Sequence, residues 1–163
     1  MLSKDGIPTA EDIAKVLPSA ERLAKGPVAI AECFQEIPCN PCSTACPFKA
    51  IKVEPDINAT PDVHFDECTG CGTCVLRCPG LAIFVVDCSY SDTMAKVSMP
   101  YEYLPVPAKG DIVKGLNRAG EVLGDFEVTR VIRGNAKNKT YVITVEVPKE
   151  LVMEVRNIRV GGE

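Results

Sequence analysis

Cys68-Thr69-Gly70-Cys71-Gly72-Thr73-Cys74-Val75-Leu76-Arg77-Cys78-Pro79 is the stretch that decides how this chain is read. Three cysteines follow one another at intervals of three, and a fourth comes four residues later, ahead of a proline. Thiolates spaced this way wrap a tight loop around one cubane iron–sulfur cluster, and the chain then enters a helix before the fourth is reached. The fourth thiolate points away from the loop it follows and needs a second loop facing it. Gly70 and Gly72 flank Cys71, where the backbone must curl closely and aim N–H groups at sulfur.

A second run supplies the facing loop. Cys33, Cys39, Cys42 and Cys46, followed by Pro47, repeat the frame with a longer opening interval. The two runs read as copies of one half-motif. Val28-Ala29-Ile30-Ala31-Glu32-Cys33 lies over Val63-His64-Phe65-Asp66-Glu67-Cys68, and Cys46-Pro47-Phe48-Lys49-Ala50-Ile51 lies over Cys78-Pro79-Gly80-Leu81-Ala82-Ile83. With both ends pinned, Cys33 takes the place of Cys68. The first loop then carries three extra residues within 34–38, and Glu36 stands where strict spacing wants a cysteine. The expected ligand sets are Cys68, Cys71, Cys74 and Cys46 for one [4Fe–4S] cluster, and Cys33, Cys39, Cys42 and Cys78 for the other. The competing reading of the Cys33 set is a cluster lacking one iron or using a non-cysteine ligand. For the whole constellation it is four-cysteine zinc, which accounts poorly for two runs of four ending in Cys-Pro. Cys88, the ninth cysteine, has no counterpart in the first half and is expected to be a buried free thiol.

Composition bounds the partners. Of 163 residues with a formal charge of −4, residues 1–99 hold 13 acids and 8 bases, against 9 and 10 in residues 100–163. Two cubanes with their thiolates would each add about −2. An acidic cluster-bearing part argues against nucleic acid, which needs a basic surface. No run approaches the ~20 apolar residues that span a bilayer, and no apolar leader opens the chain. Many cysteines without a secretory signal point to a reducing, cytoplasmic setting.

Three pieces are expected. Residues 1–27 form an N-terminal helical arm: Thr9 and Asp12 cap a helix over 10–17, Pro18 stops it, and residues 19–25 make another turn. Residues 28–99 make the cluster module and linker, with strands at 28–31, 51–54, 63–65 and 82–86 and a short helix after each Cys-Pro. Residues 100–163 lack cysteine; Pro100, Pro105 and Pro107 mark the linker. Strands over 112–116, 126–132 and 140–147, with residues 151–160 closing the sheet, suggest a small SH3-like barrel. The fold class is therefore α+β, a ferredoxin-like two-cluster module followed by a small all-β module. Arg130, Arg133, Lys137 and Lys139 read as a solvated basic hairpin. The only histidine, His64, reads as a surface residue, and no glycine-rich loop offers FAD or NAD a site. No catalytic residue is expected.

The Cys68–Pro79 run resembles bacterial ferredoxins with two [4Fe–4S] clusters. More specific is Lys25-Gly26-Pro27-Val28-Ala29-Ile30-Ala31-Glu32-Cys33, continuing through Glu36-Ile37-Pro38-Cys39-Asn40-Pro41-Cys42 to Ala45-Cys46-Pro47. With a cysteine-free β module behind it, this stretch is similar to the small ferredoxin-type subunit of multi-subunit flavin-dependent amino-acid and amine dehydrogenases. These are the proline dehydrogenase, hydroxyproline dehydrogenase and sarcosine oxidase-like assemblies. The resemblance implies an FAD-binding dehydrogenase subunit as partner, often with a [2Fe–2S] or second flavin subunit, and electrons passing through this chain's clusters. The other functions to be weighed are a free, diffusible ferredoxin serving several redox partners and a zinc-binding scaffold or adaptor.

Overall fold

The computed structural model describes residues 1–161. The arm contains three short helices, α1 (Leu2–Asp5), α2 (Ala10–Ala14) and α3 (Ala20–Lys25). The cap at Thr9 forms as expected: its hydroxyl accepts from the Asp12 N–H, and the Asp12 carboxylate accepts from the Thr9 N–H. α2 nevertheless ends at Ala14, short of Pro18. Ser19 caps α3 by accepting from the Arg22 N–H, and Gly26 ends it.

The cluster module begins with β1 (Val28–Ala31), followed by α4 (Pro41–Ala45), β2 (Ile51–Lys52), β3 (Asp62–Val63), α5 (Thr73–Arg77) and β4 (Ile83–Asp87). Both helices lie before the fourth cysteine of their run, as the cysteine spacing suggests, but the further short helix expected after each Cys-Pro does not form. Proline forces the residue before it out of helical geometry, and Cys46 and Cys78 are extended at ψ 113° and 112°. A turn follows each instead.

The larger difference lies further on. β5 (Met94–Tyr101) crosses the stretch expected to be a linker and pairs along its whole length with β8 (Tyr141–Pro148). Ala95, Val97, Met99 and Tyr101 point into the core while Met94, Lys96 and Ser98 are half-buried on the other face, the period-two pattern of a strand. Pro100 lies past Ser98, the last β5 residue paired with β4, so β5 has a neighbour on one side only there. That is the edge condition under which a strand tolerates proline.

With β6 (Ile112–Leu116), β7 (Val122–Arg133) and β9 (Asn157–Arg159), these strands make one antiparallel sheet in the order β1-β4-β5-β8-β7-β6-β9. β2 and β3 form a separate pair. Closure of the later strands into an SH3-like barrel is not shown among the described residues. They continue the sheet of the cluster module, and no ladder joins β1 to β9 among the described residues.

Two cores share this sheet. One face gathers side chains from all seven strands, from Val28 and Ile30 on β1 to Ile158 on β9, so the sheet curls around a single apolar cluster. The arm lays Val16, Leu17 and Leu23 against it. The other face of β1 and β4 presents Ala29, Ala31, Ile83 and Val85 to Cys42, Cys74 and Val75 of the cluster helices. β1 is thus buried on both faces, which is why its sequence is apolar without alternation.

Candidate iron–sulfur centres

The half-motifs superpose more regularly than the sequence suggested. In one pairing Ala31 lies opposite Ile83; in the other Val63 lies opposite Ile51. The Glu32 N–H donates to the Ala82 carbonyl, and the His64 N–H donates to the Ala50 carbonyl. Ala31 therefore corresponds to Val63 and Glu32 to His64. Eight positions separate Ala31 from Cys39, and eight separate Val63 from Cys71. The repeat runs at a uniform offset of 32 residues with no insertion. On that register Glu36 matches Cys68, and Cys33 matches Phe65. The three extra loop residues expected from the sequence are not there; the first cysteine has moved three places toward the strand.

Cys33 reaches the same place by another path. Cys33, Cys39, Cys42 and Cys78 line one pocket whose other walls include Ile37, Pro41, Pro79 and Ile83. Burial raises the Cys33 thiol above its ordinary pKa, with repulsion from Cys78 and Cys39 adding to it. Burial pushes Cys42 up to about 11, partly opposed by the Ser43 N–H and reinforced by Cys78, Cys39 and Cys33. The second gathering consists of Cys74 with Cys68, Cys71 and Cys46. Burial pushes Cys74 up to about 12, and those three neighbours reinforce the shift. In Cys71, burial acts upward, but hydrogen bonding with Thr73 and Thr69 outweighs it and lowers the thiol. Each run thus gives its fourth cysteine to the other run's gathering.

Both gatherings receive backbone donors. The Ala50 N–H reaches Cys46 Sγ and the Ala82 N–H reaches Cys78 Sγ, each at 3.4 Å. These alanines are the ones shared by Cys-Pro-x-x-Ala-Ile in the two halves. Bringing their N–H groups round puts the preceding residues, Lys49 and Leu81, at φ 55° and 53°, left-handed for non-glycine side chains. Cys68 Sγ accepts from Ala29 at 3.3 Å and from Gly70 at 3.4 Å. Gly70 is required twice over. Its φ is +69°, and a Cβ there would lie 2.5 Å from that of Pro27.

The donor set fits a [4Fe–4S] cubane. Cys33, Cys42 and Cys74 are costly to ionise alone, and the positive charge of iron supplies the missing attraction. N–H groups aimed at sulfur suit the same use. Cys88 stands outside both sets, half-buried at the edge of the larger core, its thiol raised by burial. His64 is exposed, 3.3 Å from the Asp62 carboxylate.

Two buried charge arrangements escaped the sequence reading. Glu32 accepts from Arg118 Nε at 3.0 Å and from Arg156 Nε at 2.8 Å. Burial acts to raise its carboxyl, yet the two arginines outweigh that and hold it below its ordinary value. Arg156 also donates to the Val152 and Val155 carbonyls and lies over the Phe84 ring. The network ties the end of β1 to the C-terminal strands. The second arrangement centres on Arg22 of α3. Neither carried a sequence signal, because each joins residues far apart in the chain.

Residues 37–82 match the family described as 4Fe-4S dicluster domain. The chain is also similar to the ferredoxin-type protein NapF of Haemophilus influenzae, 41% identical over 56 residues, which is 33% of this chain and 32% of that protein. The chain thus spans about a third of the length of the curated relative it matches. No solved structure matches. The family match supports two [4Fe–4S] clusters in this chain, and both comparisons support a ferredoxin-type protein. No helix among the described residues is long and apolar enough to cross a membrane.

Proposed function

We propose that this chain is the electron-transfer subunit of a multi-subunit flavin-dependent amino-acid or amine dehydrogenase. Cys46, Cys68, Cys71 and Cys74 hold one cluster; Cys33, Cys39, Cys42 and Cys78 hold the other. The observation that carries the relay is the exchange of fourth cysteines between the two thiol gatherings, which ties two one-electron centres into one folded unit. Oxidation of a substrate C–N bond would release two electrons to FAD on a partner subunit, and the two clusters that these eight cysteines would hold supply two one-electron acceptors for them. The segment from Lys25 to Pro47 supports this class of partner through its resemblance to the small subunits of such enzymes. The arm and the strands beyond β5 fit a docked subunit better than a shuttle, because they add surface and no redox group.

The test is isolation of the native assembly under anaerobic conditions. The expected result is co-elution with an FAD-containing chain, and bleaching of the cluster absorbance when an amino-acid or amine substrate is added. A chain that elutes alone and exchanges electrons equally with several unrelated flavoproteins would make it a diffusible ferredoxin.

A further inference from the structure

Arg22 is one of two buried arginines, and the two are satisfied differently. Arg156 has the carboxylate of Glu32. Arg22, about nine-tenths buried, has carbonyls only: Nε donates to Phe65 O at 2.6 Å, Nη1 to Gly26 O at 3.1 Å, and Nη2 to Pro27 O at 3.0 Å and Cys68 O at 2.7 Å. No carboxylate lies within ion-pair distance of it among the described residues. Asp66 lines the open cleft outside and comes no closer than that.

Carbonyl oxygens satisfy the N–H groups but do not neutralise the charge. A buried cation without a counter-ion is costly, and proteins rarely keep one unless an opposite charge is nearby. Two of its acceptors, Phe65 O and Cys68 O, belong to the loop that presents Cys68, which places the guanidinium 2.7 Å from the backbone carbonyl of one cysteine in the set Cys46, Cys68, Cys71 and Cys74.

We propose that Arg22 is the counter-charge of the cluster held by those four cysteines and raises its reduction potential. The inference rests on the ligand assignment above. The oxidised cluster with its four thiolates carries a charge of about −2 and the one-electron-reduced cluster about −3, so a fixed cation nearby favours the reduced form. Arg22 acts through charge and touches no reacting atom; it is a positioning residue for the field.

The experiment is an EPR-monitored redox titration of the full chain, reconstituted with iron and sulfide, as wild type, Arg22→Gln and Arg22→Lys. Iron analysis of the wild type should give about eight irons per chain. A lower value breaks the two-cluster reading itself and this inference with it, independently of the titrations. With iron in place, Arg22→Gln should lower one of the two potentials so that the ratio of reduced to oxidised cluster falls at least tenfold at a given potential, about 59 mV for one electron. The other cluster should not move, and Arg22→Lys, which keeps the charge, should restore most of the shift. Full iron content with unchanged potentials in Arg22→Gln overturns the proposal. So does loss of the same cluster from both variants, because the hydrogen-bond geometry and not the charge would then matter.

Discussion

The halves of the cluster module share one backbone and differ in how the first thiol arrives. At an offset of 32 residues, strand, loop, helix and turn coincide, down to left-handed Lys49 and Leu81 and the alanine N–H groups behind them. In the second half the first cysteine sits in the loop, braced by Gly70 against Pro27 and by the N–H of Ala29. In the first half that position is Glu36, exposed, and the cysteine is taken from the end of β1. The counterpart of the Ala29 donor is Pro61, which has no N–H to offer. A thiol at position 36 would thus lack the hydrogen bond that Cys68 enjoys. Backbone symmetry does not dictate ligand symmetry; the requirement is four sulfurs around one volume.

The largest effect should come from breaking the displaced ligand. Cys33→Ala should cost the cluster of Cys39, Cys42 and Cys78 its fourth thiolate, leaving a three-iron species or none there, while the other cluster survives. Adding Glu36→Cys to that variant should return the iron count toward the wild-type value, because the uniform register puts position 36 where Cys68 stands in the other half. Iron analysis and EPR read both. Failure of Glu36→Cys to restore any iron would mean that the loop departs from the repeat after all.

Much of this comparison was visible in the chain before folding. Cysteine spacing and Cys-Pro-x-x-Ala-Ile are local signals, so the runs, the exchange and the short strands β1 to β4 could be read directly. Register could not. Val28 aligned with Val63 as letters, but a strand is placed by its partners, and hydrogen bonds of Glu32 and His64 to the alanine carbonyls show the correct frame. β5 was hidden for a related reason. Pro100, Pro105 and Pro107 suggested a linker, although Ala95, Val97, Met99 and Tyr101 already alternated with Lys96, Ser98 and Pro100. Closure of the expected barrel is not shown either, since β5 joins the later strands to β4 in one sheet. These arginine contacts were beyond reach, because Arg22, Arg118 and Arg156 look like any surface arginine until their carbonyl and carboxylate partners are in place.

A smaller effect should separate matched positions 32 and 64. Glu32 is buried between two guanidinium groups, whereas His64 is exposed beside Asp62. Glu32→Ala leaves Arg156 buried without its carboxylate, and breaking such a pair from one side costs about 3–5 kcal/mol. His64→Ala should stay within about 0.5 kcal/mol, as exposed substitutions usually do. Denaturant midpoints of the reconstituted proteins, at fixed iron content, test the contrast. Equal losses would mean that the Glu32 network adds nothing to the joint between β1 and the later strands.

The smallest effect should come from Cys88, the thiol outside the repeat. It follows β4 at the rim of the core shared by the seven strands, on the opposite face of β4 from the thiol gatherings. Burial raises its thiol above the ordinary value, and it lies with neither set of four thiols. Cys88→Ala should keep both clusters at full iron content with unchanged EPR signals. Removing one half-buried sulfur should destabilise the fold by about 1 kcal/mol or less. Iron loss comparable to that of Cys33→Ala would instead make Cys88 a ligand and break the assignment of four thiols to each cluster.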